Sequence, residues 1–152
     1  NCRASLILVD HFARRVKERR RGGGIVMSSG EGLIGMPYVA TYSATKGFLN
    51  NLAEALWFEM KQHGVDVIGC VTGLTKTPAI LAGTPELKEQ RLGGYMEPDE
   101  VVREVLEKLG TRPTMSPGGR NKFTRVLLTR LLPRRRSIEA AARHHVANFM
   151  DK

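Results

Sequence analysis

The sequence predicts an α/β protein, an open parallel sheet with helices on its faces, and two observations carry the prediction. Two short apolar runs rich in β-branched residues, Ile25 to Ser28 and Val65 to Val71, flank a segment of helical periodicity from about Ala40 to Gln62. Strand, helix and strand in that order close into a parallel pair. Ser29 and Gly73 then fall just past the carboxyl ends of the two strands, where ligands bind in sheets of this kind.

The elements follow in order. Residues 4 to 20 place Leu6, Val9, Ala13 and Val16 on one helical stripe and Arg14, Lys17 and Arg21 on another. Gly22-Gly23-Gly24 is expected to end this helix, because glycine tolerates positive φ, and Arg19-Arg20-Arg21 suits the negative end of its dipole. Ile25 to Ser28 reads as a buried parallel strand, and Gly30 and Gly32 let the backbone leave it tightly. The next helix carries Leu49, Leu52, Ala53, Leu56 and Met60 on its apolar stripe and stops at His63-Gly64.

Beyond the second strand, residues 78 to 97 form a connection with helical potential from Pro85 to Leu92. Leu81 and Met96, with the earlier Met36 and Tyr38, are candidates to line an apolar pocket. Pro98-Asp99-Glu100 opens a helix with Val101, Val102, Val105, Leu106 and Leu109 expected on its buried side. Thr114 to Ser116 is the expected last strand, before Pro117-Gly118-Gly119. Two basic amphipathic segments finish the chain. Phe123, Val126, Leu127 and Leu131 share one face before Pro133, and Ile138, Ala142, Val146 and Phe149 share another after Ser137, the expected N-cap.

The chemistry concentrates between the first strand and the helix after it. Tyr42 and Lys46 are four apart, so they lie one turn from each other on one helix face. An ammonium beside a phenol favours the phenolate, which suits the phenol to general acid and base work. Ser29, thirteen residues before Tyr42, brings a hydroxyl from the strand end to hold a substrate oxygen, with Ser28 as its neighbouring alternative. A tyrosine and lysine at this spacing arise often by chance, but their place in a strand, glycine loop and helix is far rarer.

These residues, within SSGEGLIGMPYVATYSATKGFLNNLAEAL, resemble the active-site segment of the short-chain dehydrogenases/reductases. Asn1, twenty-eight residues before Ser29, matches the asparagine that is that family's fourth catalytic residue. Val71 to Thr77 is similar to its Pro-Gly-x-x-x-Thr cofactor loop, with Thr72 where proline is usual. The resemblance implies a Rossmann-like sheet and an NAD(P)-dependent oxidoreductase that interconverts a carbonyl and a secondary alcohol. In it Tyr42 exchanges the proton, Lys46 supports Tyr42 and binds the nicotinamide ribose, Ser29 positions the substrate oxygen and Asn1 serves a water relay. Tyr42, Lys46, Gly73, Thr75 and Thr77 are the implied cofactor contacts. The cofactor is NAD or NADP, because the residues that discriminate the two are expected before Asn1.

The chain has 152 residues and begins without methionine, inside a helical segment. It is read as one partial domain: a catalytic core segment over 1–78, a substrate-loop region and helix over 79–111, and a last strand with a basic helical tail over 112–152. The glycine-rich phosphate-binding turn is expected upstream, and the fragment alone is expected to be inactive. The net charge of +9 is divided as +5 over residues 1–21, −4 over 22–111 and +8 over 112–152. The expected partner is a small apolar carbonyl or alcohol, with a homodimer as the assembly considered. A competing reading makes the basic helices an interaction module for an acidic surface, an anionic membrane or nucleic acid. Nucleic acid is not expected, since it leaves Ser29, Tyr42, Lys46 and Gly73 without a role. A cytoplasmic location is expected, with peripheral membrane contact through the basic tail as its variant. Cys2 and Cys70 show no disulfide or metal pattern, and the adjacent His144-His145 point to different helix sides, so no metal site is expected.

Overall fold

The computed structural model of the chain describes residues 2–78, 80 and 95–146. Helix α1 (Cys2–Arg19) leads into strand β1 (Gly22–Ser29), a short 3₁₀ turn (Gly30–Gly32) and the long helix α2 (Ala40–Lys61). Strand β2 (Val65–Thr72), helix α3 (Pro98–Lys108) and strand β3 (Thr114–Met115) follow. Helix α4 (Gly119–Val126) runs into a π turn (Leu127–Leu131), and helix α5 (Arg134–His145) ends the described chain.

The sheet is parallel throughout, in the order β1-β2-β3. β1 pairs with β2 from Gly22 opposite Val65 to Ser29 opposite Thr72, so both strands end level. Successive strand residues face opposite sides, and each face has its own core. On one, Val26, Val65 and Val67 pack against Leu49, Ala53 and Met60 of α2, with Val9, Ala13 and Val16 of α1. On the other, Ile68, Cys70 and Met115 meet Val101 and Val105 of α3, with Ile25, Met96 and Leu109 at the margin. The result is the expected Rossmann-like layering of helices on both faces of a parallel sheet.

α2 begins at Ala40 and stops where Gly64 takes a φ of 69°. α3 opens at Pro98 under a capping box between Glu97 and Glu100. Four expectations change. The three glycines do not end α1, which turns at Arg20 with φ 52°; they are the first three of the eight residues of β1. Their missing side chains are the reason: a Cβ on Gly22 would lie 2.9 Å from Val16 Cγ1, and one on Gly23 2.9 Å from Leu109 Cδ2. Leu6 leaves the α1 stripe and is exposed. Val102 and Leu106 are also exposed, because only the line through Val101 and Val105 meets the sheet. Ser137 is not an N-cap: α5 starts at Arg134 behind Pro133, and Ser137, fully buried, donates to the Leu128 carbonyl at 2.8 Å. Asn1, Leu81, Phe149 and the segment from Pro85 to Leu92 lie outside the described residues.

Gly69 sets how closely α2 and β3 approach β2. A Cβ there would sit 2.8 Å from Thr114 Cγ2 and 2.9 Å from Ala53 Cβ. Gly69→Ala is therefore expected to lower unfolding stability by about 1–3 kcal/mol, the usual cost of overpacking. Urea denaturation of the two proteins checks this, and an unchanged midpoint contradicts the packing described.

Candidate active site

The level ends of β1 and β2 and the first turns of α2 form one corner of the molecule. Thr72 Oγ1 donates to the Ser28 carbonyl at 2.9 Å, clamping the strand ends together. Ser28 Oγ, buried, donates to the Lys46 carbonyl at 2.9 Å and ties β1 to α2. Ser28 is thus committed to structure. Gly32 completes the joint, since a Cβ on it would lie 2.5 Å from the Lys46 carbonyl carbon and 2.6 Å from the Gly47 nitrogen.

On this frame Lys46 Nζ reaches two ways. It lies 5.6 Å from the centre of the Tyr42 ring and 3.4 Å from the Met27 carbonyl, two residues before Ser29. Partial burial lowers the pKa of the Lys46 ammonium from its ordinary value. Tyr42 is 41 % exposed. Ser29, half-buried, accepts from the Glu31 backbone N–H at 3.2 Å. No described residue accepts from its hydroxyl.

The implied cofactor loop leaves β2 beside this corner. Thr75 Oγ1 donates to the Gly73 carbonyl at 3.3 Å, and Thr77 Oγ1 accepts from the Ile80 N–H at 3.4 Å. The loop is held by Met96, which exchanges backbone hydrogen bonds with Leu74 and Lys76 at 3.0 Å, and by a 2.7 Å ion pair between Lys76 and Glu97. Gly73 is packed under Asn121 of α4, whose amide occupies the space a Cβ would take. That amide is fixed by a 2.8 Å hydrogen bond to the Pro117 carbonyl.

The three described candidates for an apolar pocket do not come together. Met96 joins the core beside α3, while Tyr38, at φ 69°, is exposed and stacks on His145 with ring centres 6.0 Å apart. Met36 lines a cavity of about 530 Å³ with Leu33, Pro37, Ala44, Gly47 and Arg134. Ala40, Ser43, Ala44, Gly47 and Asn51 line that cavity from α2 and lie on a different side of the helix from Tyr42 and Lys46. Leu81 lies outside the described residues.

Reading the sequence missed Ser43, the residue after Tyr42. Its buried hydroxyl donates to the Glu31 and Ile34 carbonyls, each at 2.8 Å, and accepts from the Met36 N–H at 3.0 Å. It fixes the loop between Ser29 and α2. A polar residue on the inner side of α2, which also buries Asn50, is the trace it leaves in the sequence.

With that geometry in view, a profile of the short chain dehydrogenase family matches residues 1–86. The chain belongs to that family. It is 30 % identical over 122 residues to a 7β-hydroxysteroid dehydrogenase of Clostridium sardiniense, covering 80 % of this chain and 46 % of that protein. It is 38 % identical over 110 residues to a very-long-chain 3-oxoacyl-CoA reductase of Neurospora crassa, covering 72 % and 31 %. A solved 7β-hydroxysteroid dehydrogenase structure superposes with a TM-score of 0.82 at 30 % identity, over 90 % of this chain and 53 % of that one. The chain therefore spans about half the length of these relatives, or less. In this short-chain dehydrogenase segment the serine stands at the end of β1 and the tyrosine and lysine in the first turns of α2.

Two measurements probe this corner. Ser43→Ala removes the hydroxyl hydrogen shared by the buried Ile34 carbonyl and the half-buried Glu31 carbonyl, and the acceptor of the Met36 N–H, and is expected to cost about 1–3 kcal/mol of stability, read by thermal melting; a melt like the parent's contradicts the anchoring. Glu31, beside the same loop, has its pKa raised by burial, a shift that His145 partly opposes. The folded state then holds this proton more tightly than the unfolded one. Its stabilising contribution is full below the usual carboxylate pKa and is lost as pH rises through the raised value. Denaturation midpoints across that pH window should show the loss in the parent and not in Glu31→Gln; equal slopes refute it.

Proposed function

We propose that this chain carries the proton-transfer and nicotinamide-ribose end of an NAD- or NADP-dependent oxidoreductase interconverting a carbonyl and a secondary alcohol. The observation that carries the reading is Lys46, whose ammonium stands between the Tyr42 ring and the carboxyl end of β1. An ammonium in that place stabilises negative charge on the phenol oxygen as the proton moves.

The donors present fit the nicotinamide-ribose end of the cofactor. One ammonium, from Lys46, and the hydroxyls of Thr75 and Thr77 lie at the carboxyl ends of adjacent parallel strands, where dinucleotides bind in open α/β sheets. The cofactor, when bound, supplies or removes the hydride. The protein's part is positional and protic. Ser29 donates its hydroxyl hydrogen to the substrate oxygen, and Tyr42 gives or takes the proton on that oxygen. Lys46 holds the ribose and the charge on Tyr42. Asn1, by the family resemblance, supports the water relay. Gly73 is the nicotinamide contact that the family resemblance implies, and here it lies packed under Asn121.

The substrate is a small molecule with an apolar body. The names of the similar proteins, a hydroxysteroid dehydrogenase and a very-long-chain 3-oxoacyl-CoA reductase, make hydroxysteroids and 3-oxoacyl chains the first compounds to assay. Tyr42→Phe in the protein that contains this chain is expected to lower kcat by about 10²- to 10⁴-fold, the usual worth of a positioned acid or base. Its affinity for the reduced cofactor should stay unchanged by fluorescence titration. A turnover close to the parent's overturns the assignment.

A further inference from the structure

We propose that the outer face of α4 and its π turn, carrying Phe123, Val126 and Leu131, is a docking surface for an anionic lipid bilayer. The observation behind it is an apolar stripe left in solvent inside the most basic part of the chain. Phe123 and Leu131 are each 65 % exposed and Val126 43 %. Arg120, three residues before Phe123, and Arg130, seven after it, fall on the same side of the helix. The opposite side holds the segment to the core: Arg125 donates to Thr114 Oγ1 at 2.7 Å, and Asn121 to the Pro117 carbonyl. The stripe is therefore presented outward by a helix that is already anchored.

The charge around the stripe selects the occupant. Residues 119–146 hold eight basic side chains and one acid, a net +7. Lys122 is paired with Glu104 at 3.2 Å, Arg135 with Glu139 at 2.8 Å, and Arg134 donates to the Leu33 carbonyl at 3.2 Å. Arg120, Arg130, Arg136 and Arg143 make no ion pair or hydrogen bond with any described residue. Apolar side chains flanked by uncommitted guanidinium groups match the layering of an anionic bilayer surface, with acyl chains below and phosphates at the rim. A second copy of the same face would bring two like charges of this size together. A nucleic acid backbone would satisfy the arginines and leave Phe123 and Leu131 in water.

The test needs neither cofactor nor substrate, so it is independent of the chemistry proposed for Tyr42. The 152-residue chain is sedimented with vesicles of phosphatidylcholine alone and of phosphatidylcholine mixed with phosphatidylserine, at low and high salt. Binding is expected to be at least about tenfold stronger to the anionic vesicles and to weaken with salt. Arg120→Gln with Arg130→Gln should reduce that binding by about 25-fold, at about fivefold for each guanidinium near such a surface. Phe123→Ser with Leu131→Ser should reduce it by about tenfold or more through lost apolar burial. Each pair is checked by circular dichroism, and because one removes charge and the other apolar area, either pair that folds decides the matter. Binding to neither vesicle, equal binding to both, or folded variants that bind like the parent overturn the proposal. So does a dimer in analytical ultracentrifugation that Phe123→Ser with Leu131→Ser converts to monomer, which would make the face a self-interface.

Discussion

The hydrogen bond from Ser28 Oγ to the Lys46 carbonyl lies between two backbones that already touch at Gly32, and the rest of the corner is arranged around that contact. Because α2 cannot slide or tilt there without breaking a buried polar pair, the side chains it presents stay in a fixed relation to the end of β1. The Thr72 hydroxyl extends the constraint to β2 by holding the Ser28 carbonyl. Ser28 therefore uses both its backbone and its side chain to lock three elements, while its neighbour Ser29 accepts only from the Glu31 N–H. Two adjacent serines take different places because a strand sends alternate side chains to opposite sides.

The same division explains what was legible in the sequence. The parallel α/β order, the bounds of α2 and the place of Tyr42 and Lys46 follow from local signals: apolar periodicity, a glycine stop and a four-residue spacing. What stayed hidden depends on partners distant in the chain. Glycine's preference for turns argued that Gly22 to Gly24 end a helix, yet pairing with Val65 to Val67 and the nearness of Val16 and Leu109 make side-chain-free residues the ones that fit a strand. Nothing near Ser137 announces that its hydroxyl will meet the Leu128 carbonyl, nor does Gly73 announce Asn121. The roles of Ser43 and of the exposed Val102 and Leu106 likewise appear only once the neighbouring backbones are in place.

The basic tail bears on the site as well as on the surface. Arg134 reaches the Leu33 carbonyl and His145 stacks on Tyr38, so both ends of α5 touch the loop between Ser29 and α2. That loop is otherwise held by Ser43 of α2. Its shape is thus shared between α2 and the last described helix, and the charge of the tail lies within reach of the loop through Glu31 and His145.

The parallel register has a kinetic meaning. Gly22 and Val65 are partners although 43 residues separate them, so no tight turn can begin the sheet, and the loop-closure entropy must be met before the strands gain anything from pairing. α2 is local and can form ahead of the sheet, carrying Tyr42 and Lys46 already one turn apart. Ser29 and Thr72 reach their places only when both strands dock beneath it. Of the candidate residues, Tyr42 and Lys46 are therefore brought together within one helix, whereas Ser29 and Thr72 stand at the ends of strands whose pairing spans that longer separation.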